Sequence, residues 1–305
     1  MKYLLILLSL TFCLNGNAAT TTVSKPDVIM PPNPLRNVEY TEADKKKVET
    51  LLKAAKTDRK DEHRIIYFAK QFLGIPYVGH TLESGDKEHL IVNLREMDCT
   101  TFVEYVLALS LCDQNNRRTF EDFCNYLVKI RYRGGDLWDY TSRLHYFTWW
   151  AEDNEDMGFV KDIAPKLEAK EVGSFTGIQT INVNYMSEHP NLYKHLKNNQ
   201  NFVKRIKYYE QDSNGKKYRY IPKKNLNASQ SSSLGEVKSG DIIALLTDSD
   251  GLDTRHIGIA YWQNGKLYFI HASSLYKKVL INKETLYDYE AKQPKHTGIR
   301  VFRMQ

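Results

Sequence analysis

Cys99, His256 and His271 are the residues with which this chain could break an acyl bond. The segment Asp98-Cys99-Thr100-Thr101-Phe102-Val103-Glu104-Tyr105-Val106-Leu107 reads as a helix start: Asp98 can cap the first free N–H groups, and Phe102, Val103, Val106 and Leu107 make an apolar stripe. A cysteine there lies at the positive end of the helix dipole, which favours thiolate over thiol, and the thiolate is the nucleophile. Position alone does not separate such a residue from a small buried hydrophobe, the role that suits Cys112 and Cys124 among their apolar helical neighbours. A partner base decides between the two.

That base comes from the pairing of two short runs. Residues 241 to 246, 255 to 262 and 266 to 272 have β-type composition, and Asn264-Gly265 between the last two is a strong hairpin signal. A two-residue turn there sets Gln263 opposite Lys266, His271 opposite Gly258 and Ser273 opposite His256. The two histidines then share a face as diagonal neighbours, about 7 to 8 Å apart at the backbone. Gly258 and Ala260 leave room on that face for the Cys99 helix. In this arrangement His256 takes the thiol proton and returns it to the leaving amine, His271 orients His256, and N–H groups at the helix start hold the oxyanion. The same three side chains could instead ligate zinc with one position open, although Cys99 lacks a second ligand at CxxC or HxxxH spacing.

The elements that must position these groups follow. Met1-Lys2, an apolar run from Tyr3 to Cys13 and Gly16-Asn17-Ala18-Ala19 have the order of a secretory signal peptide, so residues 1–19 are expected to be removed and the protein to be periplasmic or secreted. Lipidation at Cys13 is the lesser alternative, because Phe12 stands where a small residue is wanted. The three remaining cysteines are an odd number, so an exported chain keeps at least one thiol free or pairs it between molecules. No later stretch is long and apolar enough to be a transmembrane segment. The net charge of +6 is spread widely, without the basic and aromatic stripe of a nucleic-acid binder; an anionic envelope polymer would suit it as a partner.

Residues 20–38, with four prolines, read as an extended lead-in. Thr41-Glu42-Ala43-Asp44 resembles a capping box ahead of a helix to about 56 with Val48, Leu51, Leu52 and Ala55 inside. Further helices are expected at about 61 to 72, ending at Gly74-Ile75-Pro76, at 121 to 130 and at 142 to 153. Residues 196–235, rich in Lys, Asn, Gln and Ser, read as a surface loop or partly ordered mid-chain insertion. The whole from 39 to 305 is a single α+β domain, a helical lobe carrying the cysteine packed on a small antiparallel sheet carrying both histidines. Around Trp138, Trp149 and Trp150, Arg143 could pair with a peptide carboxylate and Tyr146 could stack on sugar.

Asp98-Cys99-Thr100-Thr101-Phe102, Gly240-Asp241-Ile242 and His256-Ile257-Gly258-Ile259 resemble the motifs of the NlpC-type, papain-like cell-wall cysteine hydrolases, and Leu73-Gly74-Ile75-Pro76-Tyr77 resembles the segment before the nucleophile helix. Thr101 replaces the usual glycine, and the Cys99–His256 spacing is longer than in a minimal domain. With Tyr140-Thr141-Ser142-Arg143-Leu144-His145-Tyr146, Tyr220-Ile221-Pro222-Lys223 and His271-Ala272-Ser273-Ser274, the chain is similar to the N-acetylmuramoyl-L-alanine amidase-like branch. The resemblance implies a papain-like fold and Cys99, His256 and His271 as nucleophile, base and orienting residue, with Tyr77 near the substrate. It implies no cofactor or metal, peptidoglycan fragments (muropeptides) as substrate, and cleavage between N-acetylmuramic acid, in its anhydro form among others, and L-alanine. The alternatives are a γ-D-glutamyl endopeptidase with the same machinery, a zinc hydrolase, an acyltransferase, and a non-catalytic wall-binding module.

Overall fold

Thr41 and Asp44 close the reciprocal capping box that their spacing announces, each accepting the other's backbone N–H. Helix α1 (Glu42–Asp58) follows, burying Val48, Leu52 and Ala55. The computed structural model describes residues 38–60, 62–164, 175–228 and 233–305. The expected signal peptide, Cys13 and nearly all of the lead-in lie outside the described residues.

Helix α2 (Arg64–Lys70) is shorter than the expected 61 to 72, and Gly74, at φ +87°, turns the chain so that its N–H bonds Val279. Helix α3 (Cys99–Gln114) is buried on every side, with Tyr105, Ala108 and Leu109 as inaccessible as the expected stripe. It is the central helix of the lobe. Helix α4 (Phe120–Arg131) has a second Thr/Asp capping box. Helix α5 (Phe147–Asp156) begins later than the expected 142, because Asp139 caps a short 3-10 turn at Tyr140–Ser142 and Arg143 is extended, bridged to Tyr132.

Two short strands, β1 (Val38–Glu39) and β2 (Leu90–Ile91), pair in parallel beside the lobe. The remaining described strands form one eight-stranded antiparallel sheet, larger than the small sheet expected. They are β3 (Val160–Asp162), β4 (Gly177–Thr180), β5 (Lys217–Pro222), β6 (Ile242–Thr247), β7 (Thr254–Gln263), β8 (Lys266–Ser273), β9 (Lys278–Ile281) and β10 (His296–Met304). Their order is β4-β5-β10-β6-β7-β8-β9, with β3 also against β10. Both faces are covered: along β6, Ile242, Ala244 and Leu246 join the core shared with the helices, while Ile243 and Leu245 join a second core with Leu286 and Val301.

The described part of the 196–235 segment differs from its loop reading, residues 229–232 lying outside the described residues. After a short helix α6 (Tyr185–Glu188), it carries helix α7 (Gln200–Ser213), capped by Asn199, and strand β5 inside the main sheet. Ile206 and Glu210 are buried on one face of α7, while its many Lys, Asn and Gln residues, which dominate the composition, lie mostly outside. Among the described residues no helix is long and apolar enough to cross a membrane.

Candidate active site

Asn264 and Gly265 adopt φ +50° and +72°, the pair of left-handed residues a two-residue hairpin requires, and Gln263 pairs Lys266 as expected. The register runs on through Ala260–Phe269 and Ile259–Ile270. His256 Nε2 lies 2.7 Å from His271 Nδ1, with the rings nearly perpendicular at 82°.

The space beside Gly258 is used differently from the sequence reading. A Cβ there would meet Ile270 O at 2.9 Å and His271 Cβ at 3.2 Å, so cross-strand neighbours fill it, and Ala260 belongs to the second core. Helix α3 packs instead against the alternate residues, Ile257, Ile259, Ile270 and Ala272 joining Phe102 and Val103 in the first core. The reason is the two-residue period of a strand: residues adjacent to the histidines present the opposite face.

The hydrogen bonds assign the tautomers. Asn282 Nδ2 donates to Glu284 O at 3.0 Å, which leaves Oδ1 facing His271 Nε2 at 3.4 Å. With Nε2–H donated to Asn282, His271 Nδ1 accepts from His256 Nε2–H, and His256 Nδ1 is left with its lone pair. Both imidazoles stay neutral: burial, then the neighbouring His271 and His296, hold His256 well below the ordinary histidine range. Burial lowers His271 to about 4 against an opposing bond to Asn282.

Cys99 opens α3 as expected. Asp98 Oδ1 accepts from Thr101 N at 2.8 Å and Thr101 Oγ1 accepts from Asp98 N at 3.0 Å, so the threonine in place of glycine completes a capping box. Cys99, Thr100, His256 and Ile257 line one cavity of about 180 Å³ with Tyr146, Phe147, Trp150, Met186 and Tyr193. Desolvation opposes the helix dipole here: burial, then the Asp98 charge, push the Cys99 thiol up to about 12, against hydrogen bonds from Ile257 N–H, the Thr100 side chain and its own N–H. Cys112 and Cys124 are fully buried in the lobe. As to zinc, the facing nitrogens of the two histidines are engaged with each other, and among the described residues no group of three His, Cys, Asp or Glu side chains is arranged to hold a metal.

Tyr77 is half-buried beside this centre, its phenol pushed up to about 12 by burial and then by Cys99 and Asp98. Arg143 does not offer the free guanidinium foreseen for a peptide carboxylate. Its Nε and Nη2 grip Glu88 at 2.9 and 2.6 Å, Nη1 bonds Glu83 at 2.7 Å, and Nη2 also donates to Leu82 O. It ties the 82–88 loop to the lobe. Tyr146 does line the cavity, but its hydroxyl is taken, donating to Glu210 at 2.8 Å and accepting from Met186 N at 2.9 Å. Trp149 packs edge-on against it, within the core.

Asn282 and Asp253 were missed by the sequence reading. Asp253 lines the cavity and accepts from Thr148 N at 2.7 Å, fastening the start of α5 to the strand that carries His256. An asparagine just past the end of a short strand and an aspartate just before one give no periodic signal.

The described geometry has relatives of known structure. An N-acetylmuramoyl-L-alanine amidase from Bacteroides uniformis is 40% identical, aligned over 79% of this chain and 97% of its own, with a TM-score of 0.73. A Bacteroides fragilis protein under the provisional name of a xylanase is 41% identical over 78% and 99%, with a TM-score of 0.72. Among the described residues, the lining of the Cys99 cavity includes one carboxylate, Asp253. A Legionella pneumophila protein, 23% identical over 86% and 95% with a TM-score of 0.65, shares the fold. No curated protein matches. Residues 67–299 match the family described as AmiA-like, N-acetylmuramoyl-L-alanine amidase-like, and with that span and those relatives the chain belongs to this family.

Proposed function

We propose that this protein is an exported cysteine amidase of the NlpC-type, papain-like class, hydrolysing the bond between N-acetylmuramic acid and L-alanine in peptidoglycan fragments. The observation that carries the reading is the pairing of His256 with His271 in the wall of the cavity that Cys99 also lines. The lone pair of His256 Nδ1 accepts the thiol proton as Cys99 Sγ attacks the lactyl carbonyl carbon. The N–H groups of Cys99 and Thr100, which have no carbonyl acceptor among the described residues, are suited to hold the oxyanion. Collapse of the tetrahedral adduct breaks the C–N bond, and the proton passes from His256 to the departing L-alanine nitrogen. Water, deprotonated by His256, then cleaves the thioester and returns the thiol. His271 and Asn282 hold His256 in the tautomer that makes this possible. Export rests on the amino-terminal pattern of Met1 to Ala19.

The test is mass spectrometry of defined muropeptides, with and without the anhydro sugar, incubated with the mature protein and with Cys99→Ala. Free stem peptide beginning at L-alanine, lost in the variant, is expected. A sugar still bearing L-Ala-γ-D-Glu would make the protein an endopeptidase, and the absence of any Cys99-dependent product would leave a binding module.

A further inference from the structure

Strand alternation places Arg255 and His256 on opposite faces of the sheet, yet both line the Cys99 cavity. A bulge in β7 coincides with this point. Leu245 pairs with His256 and Leu246 with Thr254, so Arg255 is the extra residue opposite that step. Bulges of this kind re-aim a side chain and gather beside active sites. The consequence is electrostatic. Among the described residues of the cavity wall Arg255 is the one guanidinium or ammonium group, and it has no hydrogen-bond or ion-pair partner there. Arg143, the other arginine near the centre, is neutralised by Glu83 and Glu88. Asp253, the one carboxylate of the cavity, is occupied as the cap of α5.

An uncommitted guanidinium in the wall beside a nucleophile suits a planar anion on the substrate. In a muramoyl peptide the muramic carboxyl is consumed in the scissile amide. The first free carboxylate is the α-carboxylate of the γ-linked D-glutamate, one residue beyond the scissile nitrogen. We propose that Arg255, exposed at the mouth of the cavity beside the β7 bulge, pairs with this α-carboxylate and makes the site selective for stem peptides in which it is free rather than amidated. This rests on the peptidoglycan-peptide reading of the site, but not on turnover.

The probes are two muramoyl tripeptides differing only in whether the D-glutamate α-carboxyl is free or a carboxamide, with the carboxyl terminus amidated in both. Calorimetry on Cys99→Ala measures binding without cleavage. The free acid is expected to bind about ten- to a hundred-fold more tightly. In Cys99→Ala/Arg255→Gln the two affinities should converge, and Arg255→Lys should retain part of the preference, as a charge without the fork. An undiminished preference after Arg255→Gln, equal affinities with Arg255 present, or no binding of either tripeptide overturns the inference. Hydrolysis by the Cys99 protein is scored separately. Selective binding without release of stem peptide would sink the amidase reading and leave Arg255 as the carboxylate reader.

Discussion

His256 and His271 face each other nitrogen to nitrogen across one hairpin, at 2.7 Å, and the outer nitrogen of His271 faces Asn282. The proton order along this chain runs in one direction because the Asn282 amide is anchored at Glu284. The lone pair left on His256 Nδ1 is therefore set by a residue that lies behind both histidines.

Asn282→Ala should thus lower kcat by about ten- to a hundred-fold with little change in KM, since outer partners of an imidazole fix its tautomer rather than touch substrate. Steady-state kinetics on a defined muropeptide would measure it. A change confined to KM would mean that Asn282 shapes the cavity and not the base.

The pH profile should extend unusually far into acid. His256 is held well below the usual histidine range and His271 is lowered to about 4, so on the proposed mechanism His256 remains able to accept a proton through mild acidity. The acid limb of kcat/KM is expected below pH 5, and a limb centred near 6.5 would contradict the buried, neutral pair.

Stability should move with pH in the same region. The lowered groups bind protons more readily when unfolded, so stability rises with pH across the interval and falls as pH drops from the unfolded histidine range toward the folded values. His271, lowered from 6.5 to about 4, accounts for about 3 kcal/mol of this, and His145, lowered to about 3 by burial and then by Arg143, acts in the same sense. Urea unfolding at pH 7 and pH 4.5 would show whether the midpoint falls accordingly.

Alkylation of the native protein should be slow at neutral pH and confined to one site. The Cys99 thiol is pushed up to about 12, while Cys112 and Cys124 are enclosed. Peptide mapping after iodoacetamide treatment should find a single adduct whose rate climbs with pH. Rapid labelling at pH 6 would indicate a resting thiolate instead.

Behind Cys99, Glu104 on α3 meets Arg131 at the end of α4 at 2.7 Å, both buried. Glu104→Ala should cost about 3 to 5 kcal/mol by leaving Arg131 charged and unpaired, and replacing both by apolar residues should cost much less. Denaturation of the two single variants and the double variant separates the pair from its packing.

Local chemistry made much of this molecule legible. Thr41–Asp44 and Asp98 announce helix starts, and Asn264-Gly265 gives a register from which the contact between His256 and His271 follows by counting. What escaped the sequence depends on distant partners. The grip of Arg143 on Glu83 and Glu88 joins segments some sixty residues apart, helix α7 hides its buried face in a polar composition, and the face that receives α3 is decided by which alternate residues the lobe covers. The bulge at Arg255 is defined by how β7 pairs with β6, a relation that the residues of β7 alone do not carry.

The two histidines belong to strands joined by a two-residue turn, whereas Cys99 comes from a helix far earlier in the chain. Hairpins of this kind form in microseconds from neighbouring residues, while the docking of α3 must wait for closure of a long loop. In refolding from the full-length unfolded chain, the paired histidines can thus be in place before Cys99 arrives, and the cavity that Cys99 and His256 share is complete only with the closure of lobe on sheet.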